Sequence, residues 1–135
     1  MKTIMDEKEC AKRTTASRIC IVDDNEAVRE SIGSLLHSVG YQTSLFASGD
    51  AFLNSDGARL ADCLILDVRM DGLGGLELQH RLTHMGCSIP TIFISGDADE
   101  GLRAKALQQG AVAWLDKPLQ VEVLLRTIDL ALSHK

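Results

Sequence analysis

From Arg18 onward the chain alternates short, almost unbroken apolar runs with longer stretches whose apolar residues return every three to four positions. The short runs are 19–22, 63–66, 91–94 and 112–115, with a more polar fifth at 42–46. A run apolar at every position suits a parallel strand covered on both faces. The mixed run at 42–46 reads as an edge strand. Between them, Val28, Ile32, Leu35, Leu36 and Val39 keep helical spacing up to Gly40, a natural C-terminal stop. Val121, Leu124, Leu125, Ile128 and Leu132 do the same near the other end, and segments 48–54, 75–84 and 98–109 fill the remaining places. Five β-α units predict an α/β domain, a single parallel sheet with five helices flanking it. Residues 1–17 show no sustained period and read as a flexible leader, leaving 18–135 for the domain.

In an open sheet of this kind, ligands bind past the carboxyl ends of the strands. The residues that follow the strands are therefore the ones to ask about. Asp23 and Asp24 follow the first, Asp67 ends the third, Ser95 the fourth, and Lys117-Pro118 come after the fifth. Three carboxylates crowded together repel one another unless a cation intervenes. Mg²⁺ prefers oxygen ligands and is typically held by one or two carboxylates together with a phosphate oxygen. A carboxylate is also a competent nucleophile for phosphoryl transfer, with Lys117 to balance charge and Ser95 to donate a hydrogen bond. Positioning and charge neutralisation are most of what that reaction asks of a protein.

Composition narrows the function further. A chain of 135 residues argues for one domain. A net charge of -5 without a basic stripe speaks against direct binding to nucleic acid. No apolar run approaches the roughly 20 residues that span a bilayer, and the first residues lack a signal peptide's apolar core. The expectation is a cytoplasmic protein without membrane attachment. Cys10, Cys20, Cys63 and Cys87 form no C-x-x-C pair and are expected to be free thiols. His37, His80, His84 and His134 fall on or near helices with no shared partner and read as surface residues.

The runs Ile21-Val22-Asp23-Asp24, Leu64-Ile65-Leu66-Asp67-Val68-Arg69-Met70, Ile92-Phe93-Ile94-Ser95-Gly96 and Leu115-Asp116-Lys117-Pro118 occur in that order. Together they resemble the signatures of the CheY-like receiver domains of bacterial two-component response regulators. The wording around Asp67 and at Gly75-Leu76-Glu77-Leu78 is most similar to the FixJ-like members. The resemblance implies the flavodoxin-like strand order 2-1-3-4-5. It implies Asp67 as phosphoacceptor, and Mg²⁺ held by Asp23, Asp24, Asp67 and the backbone carbonyl of Arg69. It further implies Ser95 as switch hydroxyl, Trp114 as switch aromatic, Lys117 as the phosphate-contacting lysine, a cis Lys117–Pro118 peptide, and Gly75 in the family's glycine position. The partners implied are a histidine kinase, a phosphorylation-dependent second copy meeting the last two strand-helix units, and an output domain or effector outside this sequence.

Some positions depart from the family pattern: Asp71 stands where proline is usual, Leu119 replaces phenylalanine, and Trp114 replaces a smaller aromatic. Arg69 and Asp97 have opposite charges and are expected to face each other across the mouth of the site. Such a chain is a signalling phosphoacceptor and not an enzyme acting on other substrates. A phosphatase of the haloacid-dehalogenase type would want a second Asp two residues after the nucleophile, where this chain has Arg69. A flavodoxin-like cofactor carrier would want a phosphate loop where Asp23-Asp24-Asn25-Glu26 stands.

Overall fold

The computed structural model describes residues 17–70, 72–96 and 99–133. The leader expected at 1–17 lies outside them except for Ser17, as do Cys10, Asp71, Asp97, Ala98 and His134. The elements run β1 (Arg18–Val22), α1 (Glu26–Ser38), β2 (Gln42–Phe46), α2 (Gly49–Leu53), α3 (Gly57–Leu60), β3 (Cys63–Asp67), α4 (Gly75–His84), β4 (Thr91–Ser95), α5 (Glu100–Gln108), β5 (Ala113–Asp116) and α6 (Val121–Ser133). All strand pairs are parallel and the sheet order is β2-β1-β3-β4-β5.

Alternation of side chains along the strands divides the core into two layers. Ile19, Ile21, Ile65, Ile92 and Ile94 face Ile32 and Leu36 of α1 and Leu124 and Ile128 of α6. Cys20, Val22, Leu64, Leu66 and Phe93 face Phe52 of α2, Leu78 and Leu82 of α4, and Ala106 of α5. Every residue of β3 and β4 is buried, while β2 is partly open, as its mixed composition predicts.

The β2–β3 connection differs from the single helix expected at 48–54. The helix starts where Ser48 accepts a hydrogen bond from the Ala51 N–H at 3.0 Å. It ends after one turn because the Ser55 hydroxyl donates to the Phe52 carbonyl at 2.7 Å and accepts from the Gly57 N–H at 2.8 Å. That competing side-chain bonding stops α2 and starts α3. Gly57 is required there, since a Cβ would lie 2.6 Å from the Phe52 ring. The fifth strand is also displaced by one residue from the run at 112–115, to Ala113–Asp116. No helix among the described residues is long and apolar enough to cross a membrane.

Candidate functional site

Asp23 follows β1, and its own neighbours hold it in place. Its carboxylate Oδ1 accepts the Asn25 N–H at 2.9 Å, and its carbonyl accepts Arg29 Nη1 at 2.8 Å. Asn25 in turn caps α1 by accepting from the Val28 N–H at 3.1 Å. The turn that starts the helix therefore also aims the acid. Asp67 ends β3, the central strand, where its Oδ1 lies 3.3 Å from the Arg69 N–H. Gly75 opens α4 against the backbone of this residue. A Cβ on Gly75 would collide with the Asp67 carbonyl oxygen and sit 3.1 Å from Phe93. Glycine thus permits α4 to start directly beside the acid.

The carboxylate oxygens of Asp23, Asp24 and Asp67 can all lie within 4.8 Å of one another, with Asp24 exposed and the other two buried. Lys117 reaches in from the β5–α6 connection. Its Nζ is 3.4 Å from Asp23 Oδ2 and 3.4 Å from Asp67 Oδ2, and its N–H donates to the Ser95 carbonyl at 2.7 Å. The Lys117–Pro118 peptide is cis. Ser95 is buried at the end of β4, one position beyond the pairing of Asp67 with Ile94. Trp114 is only 8% exposed, already packed inward against Phe93 with ring centroids 6.1 Å apart. Its indole N–H donates to Asp116 Oδ1 at 3.3 Å.

Burial, followed by the charge of Asp23, pushes the Asp67 carboxyl up to about 6, and the Lys117 ammonium only partly offsets this. One lysine does not neutralise three carboxylates. The donor set is all oxygen, two buried carboxylates and one exposed, so it fits a hard divalent cation that keeps water ligands on its open side.

Two participants were missed in the sequence. Arg29 braces the backbone of Asp23 from within α1, and nothing short of the fold places a helical arginine on a carbonyl six residues earlier. Asp99 lies 3.6 Å from Arg69 and also caps α5, accepting from the Leu102 N–H at 3.1 Å. Its spacing before Leu102 does signal the cap, while the ion pair is a tertiary event. His37, His80 and His84 are exposed. They are the surface residues the sequence suggests, and the rings of His80 and His84 meet each other. Cys20 and Cys63 are free and buried, and Cys87 is free and half-buried. Burial pushes the Cys20 thiol up to about 11 and that of Cys63 up to about 12, which marks both as core thiols.

A family model for the response regulator receiver domain matches residues 19–129. The chain is similar to the response regulator protein TmoT of Ectopseudomonas mendocina, with 46% identity over 117 residues covering 87% of this chain and 53% of TmoT. It is similar to the transcriptional regulatory protein FixJ of Bradyrhizobium diazoefficiens, with 35% identity over 121 residues covering 90% of this chain and 59% of FixJ. The crystal structure of FixJ-N superposes with a TM-score of 0.80 at 32% identity, covering 88% of this chain and 95% of that one. This chain spans about half the length of the curated relatives it matches. None of these relatives supports the haloacid-dehalogenase reading.

Proposed function

The chain belongs to the response regulator receiver domain family, and from that premise we propose that it accepts a phosphoryl group on Asp67 from a histidine kinase. As in a family of signalling domains, the chemistry is confined to the protein's own phosphorylation and dephosphorylation. The observation that carries this reading is the convergence of Asp23, Asp24 and Asp67 with the Lys117 ammonium 3.4 Å from two of them.

In the transfer, an Asp67 carboxylate oxygen forms a bond to phosphorus as the bond from phosphorus to the donor's imidazole nitrogen breaks. The electron pair leaves with the imidazole. Asp23, Asp24, Asp67 and the Arg69 carbonyl would hold Mg²⁺, which supplies charge neutralisation to the phosphoryl oxygens. Lys117 places positive charge beside the oxygens of Asp67 and offers an N–H donor to the incoming group. Ser95, buried on the adjacent strand, donates its hydroxyl to a phosphoryl oxygen. Burial of Asp23 and Asp67 keeps bulk water from the acyl phosphate.

The added charge then draws on Ser95 and Lys117 and biases the last two strand-helix units. A second receiver or an output domain meets the face of α5, β5 and α6. Trp114 is already inward, so its part in the switch is to hold that position against Phe93 and not to swing in from solvent. The natural setting of this reading is the cytoplasm, with control of transcription as the output. The net charge of -5 leaves nucleic-acid contact to an output module.

Incubation with acetyl phosphate and Mg²⁺ tests the proposal. A mass gain of one phosphoryl group is expected in the wild type and none in Asp67→Asn or in excess EDTA. A gain in Asp67→Asn would remove Asp67 as the acceptor.

A further inference from the structure

The exposed surface of α4 carries two imidazoles that phosphoryl transfer does not use. His80 and His84 stand four residues apart, so they share one face of the helix. Both are exposed, and their rings meet edge to face with centroids 4.6 Å apart and planes at 81°. We propose that His80 and His84 form a binding site for a borderline transition-metal ion, Zn²⁺, Ni²⁺ or Cu²⁺, whose remaining ligands are water.

Zinc–imidazole bonds are about 2.0–2.1 Å long, so two nitrogens on one tetrahedral or square ion stand roughly 3–3.4 Å apart. Rings already centred 4.6 Å apart reach that spacing by turning about their side-chain bonds, with the helix backbone unmoved. Once one imidazole has bound the ion, the second meets it at the effective concentration of a neighbour on the same rigid turn. Imidazole nitrogen suits zinc, nickel and copper, and magnesium little. The pair is thus chemically distinct from the all-oxygen cluster of Asp23, Asp24 and Asp67.

The surroundings favour a cation. His84 lies in the last turn of α4, at the negative end of the helix dipole. Arg81, between the two histidines in sequence, is drawn to Glu77 at 3.7 Å, which offsets its charge. Among the described residues only the aspartate cluster brings three potential protein ligands together, hence the assignment of water to the other positions. At 1.5 Å per residue, the pair lies roughly 8–14 Å along α4 from its start beside Asp67, a separate site on the same helix. A bound ion would cross-link successive turns and hold the C-terminal end of α4 closed.

Calorimetric titration of the 135-residue chain with zinc chloride and then nickel chloride tests this, in excess Mg²⁺ to fill the carboxylates, with histidine ring protons followed by NMR in the zinc experiment. One ion per chain is expected, with the His80 and His84 ring signals moving together and those of His37 unmoved. His80→Ala and His84→Ala should each weaken binding roughly tenfold to a hundredfold. Both positions are exposed and alanine is the best helix former, so an unchanged circular dichroism spectrum is expected of the variants. Affinity unaltered in either variant, movement of a single ring, or heat abolished by Mg²⁺ would each overturn the proposal.

Discussion

The two edges of the sheet handle charge in opposite ways. At the amino edge Arg18 of β1 reaches to both sides: its N–H donates to the Asp62 carboxylate just before β3 at 2.9 Å and its guanidinium to Ser44 at 2.7 Å and Gln42 at 2.9 Å on β2. The turns there relax into left-handed glycines, Gly40, Gly86 and Gly110, at positive φ of 102°, 79° and 103°. Ordinary turn chemistry and neutral or opposite partners suffice. At the carboxyl edge two carboxylates are buried beside a third, facing one ammonium. One edge satisfies its polar groups locally, while the other crowds like charges of a kind that a cation relieves. The first edge is thus held by local turn bonding, and the second is where the proposed chemistry lies.

The sharpest way to break that contrast is Lys117→Met, which leaves Asp23 and Asp67 with no opposite charge from the Lys117 position. Phosphorylation by acetyl phosphate should slow roughly a hundredfold, the usual cost of removing one aimed charge donor. Intact-protein mass spectrometry over time would measure it, and a rate within a factor of about two of wild type would show Lys117 to be a bystander.

The crowding also predicts an unusual pH dependence of the metal-free protein. Asp67 titrates at about 6 in the fold and near 3.9 in the unfolded chain, so between these values the folded state binds the extra proton. The associated stability is fully present below about pH 4 and is lost as pH rises through about 6. In EDTA, Asp67→Asn should therefore exceed the wild type in unfolding free energy at pH 7, by on the order of 2 kcal/mol, with the gap closing by pH 4. Added Mg²⁺ should restore the wild type preferentially. Urea melts at four pH values would show this, and parallel curves for the two proteins would mean that Asp67 is not strained.

At the amino edge the reverse is expected. A Cβ at Gly110 would meet nothing within 4 Å, yet the residue sits at a positive φ of 103°. Gly110→Ala should cost about 1 kcal/mol or somewhat more in stability and leave the initial rate of phosphorylation at wild-type level. A variant destabilised this way that also phosphorylates slowly, at a temperature where it is folded, would erase the division of labour between edges.

Much of the carboxyl edge was legible because Asp23 directly follows, and Asp67 and Ser95 end, strands whose burial is unmistakable: β1, β3 and β4 are nearly continuous apolar runs. Once those strands are parallel, Asp23, Asp67, Ser95 and Lys117 must share an edge. The strand order itself came from resemblance, since five similar strands permit several orders. What escaped the sequence depends on local competition or on long side chains. Ser55 ends α2 through two hydrogen bonds that no hydrophobic period reveals. Arg29, Arg69 and the histidine pair find their partners only after the helices are set. Asp97, offered by the sequence as counter-ion to Arg69, lies outside the described residues, and the partner seen among them is Asp99.

The smallest effect concerns that pair, and it separates two tasks of one carboxylate. Asp99 Oδ1 caps α5 through the Leu102 N–H, while Oδ2 faces Arg69 at 3.6 Å. Both side chains are substantially exposed, so the ion pair is worth about 0–1 kcal/mol, whereas loss of a cap costs about 1 kcal/mol. Asp99→Asn keeps an oxygen for the cap and drops the charge; Asp99→Ala drops both. Stability should therefore fall little in the first and by about 1 kcal/mol more in the second. The ion pair has a kinetic meaning that the cap lacks. Arg69 follows Asp67 by two residues, and holding it toward α5 keeps a long side chain near the path of a hydrolytic water. Dephosphorylation should accelerate modestly and equally in Asp99→Asn, Asp99→Ala and Arg69→Ala, and Arg69→Ala combined with Asp99→Asn should be no faster than either alone. If acceleration instead tracks stability, appearing in Asp99→Ala and absent from Asp99→Asn, the cap governs the lifetime and the ion pair does not.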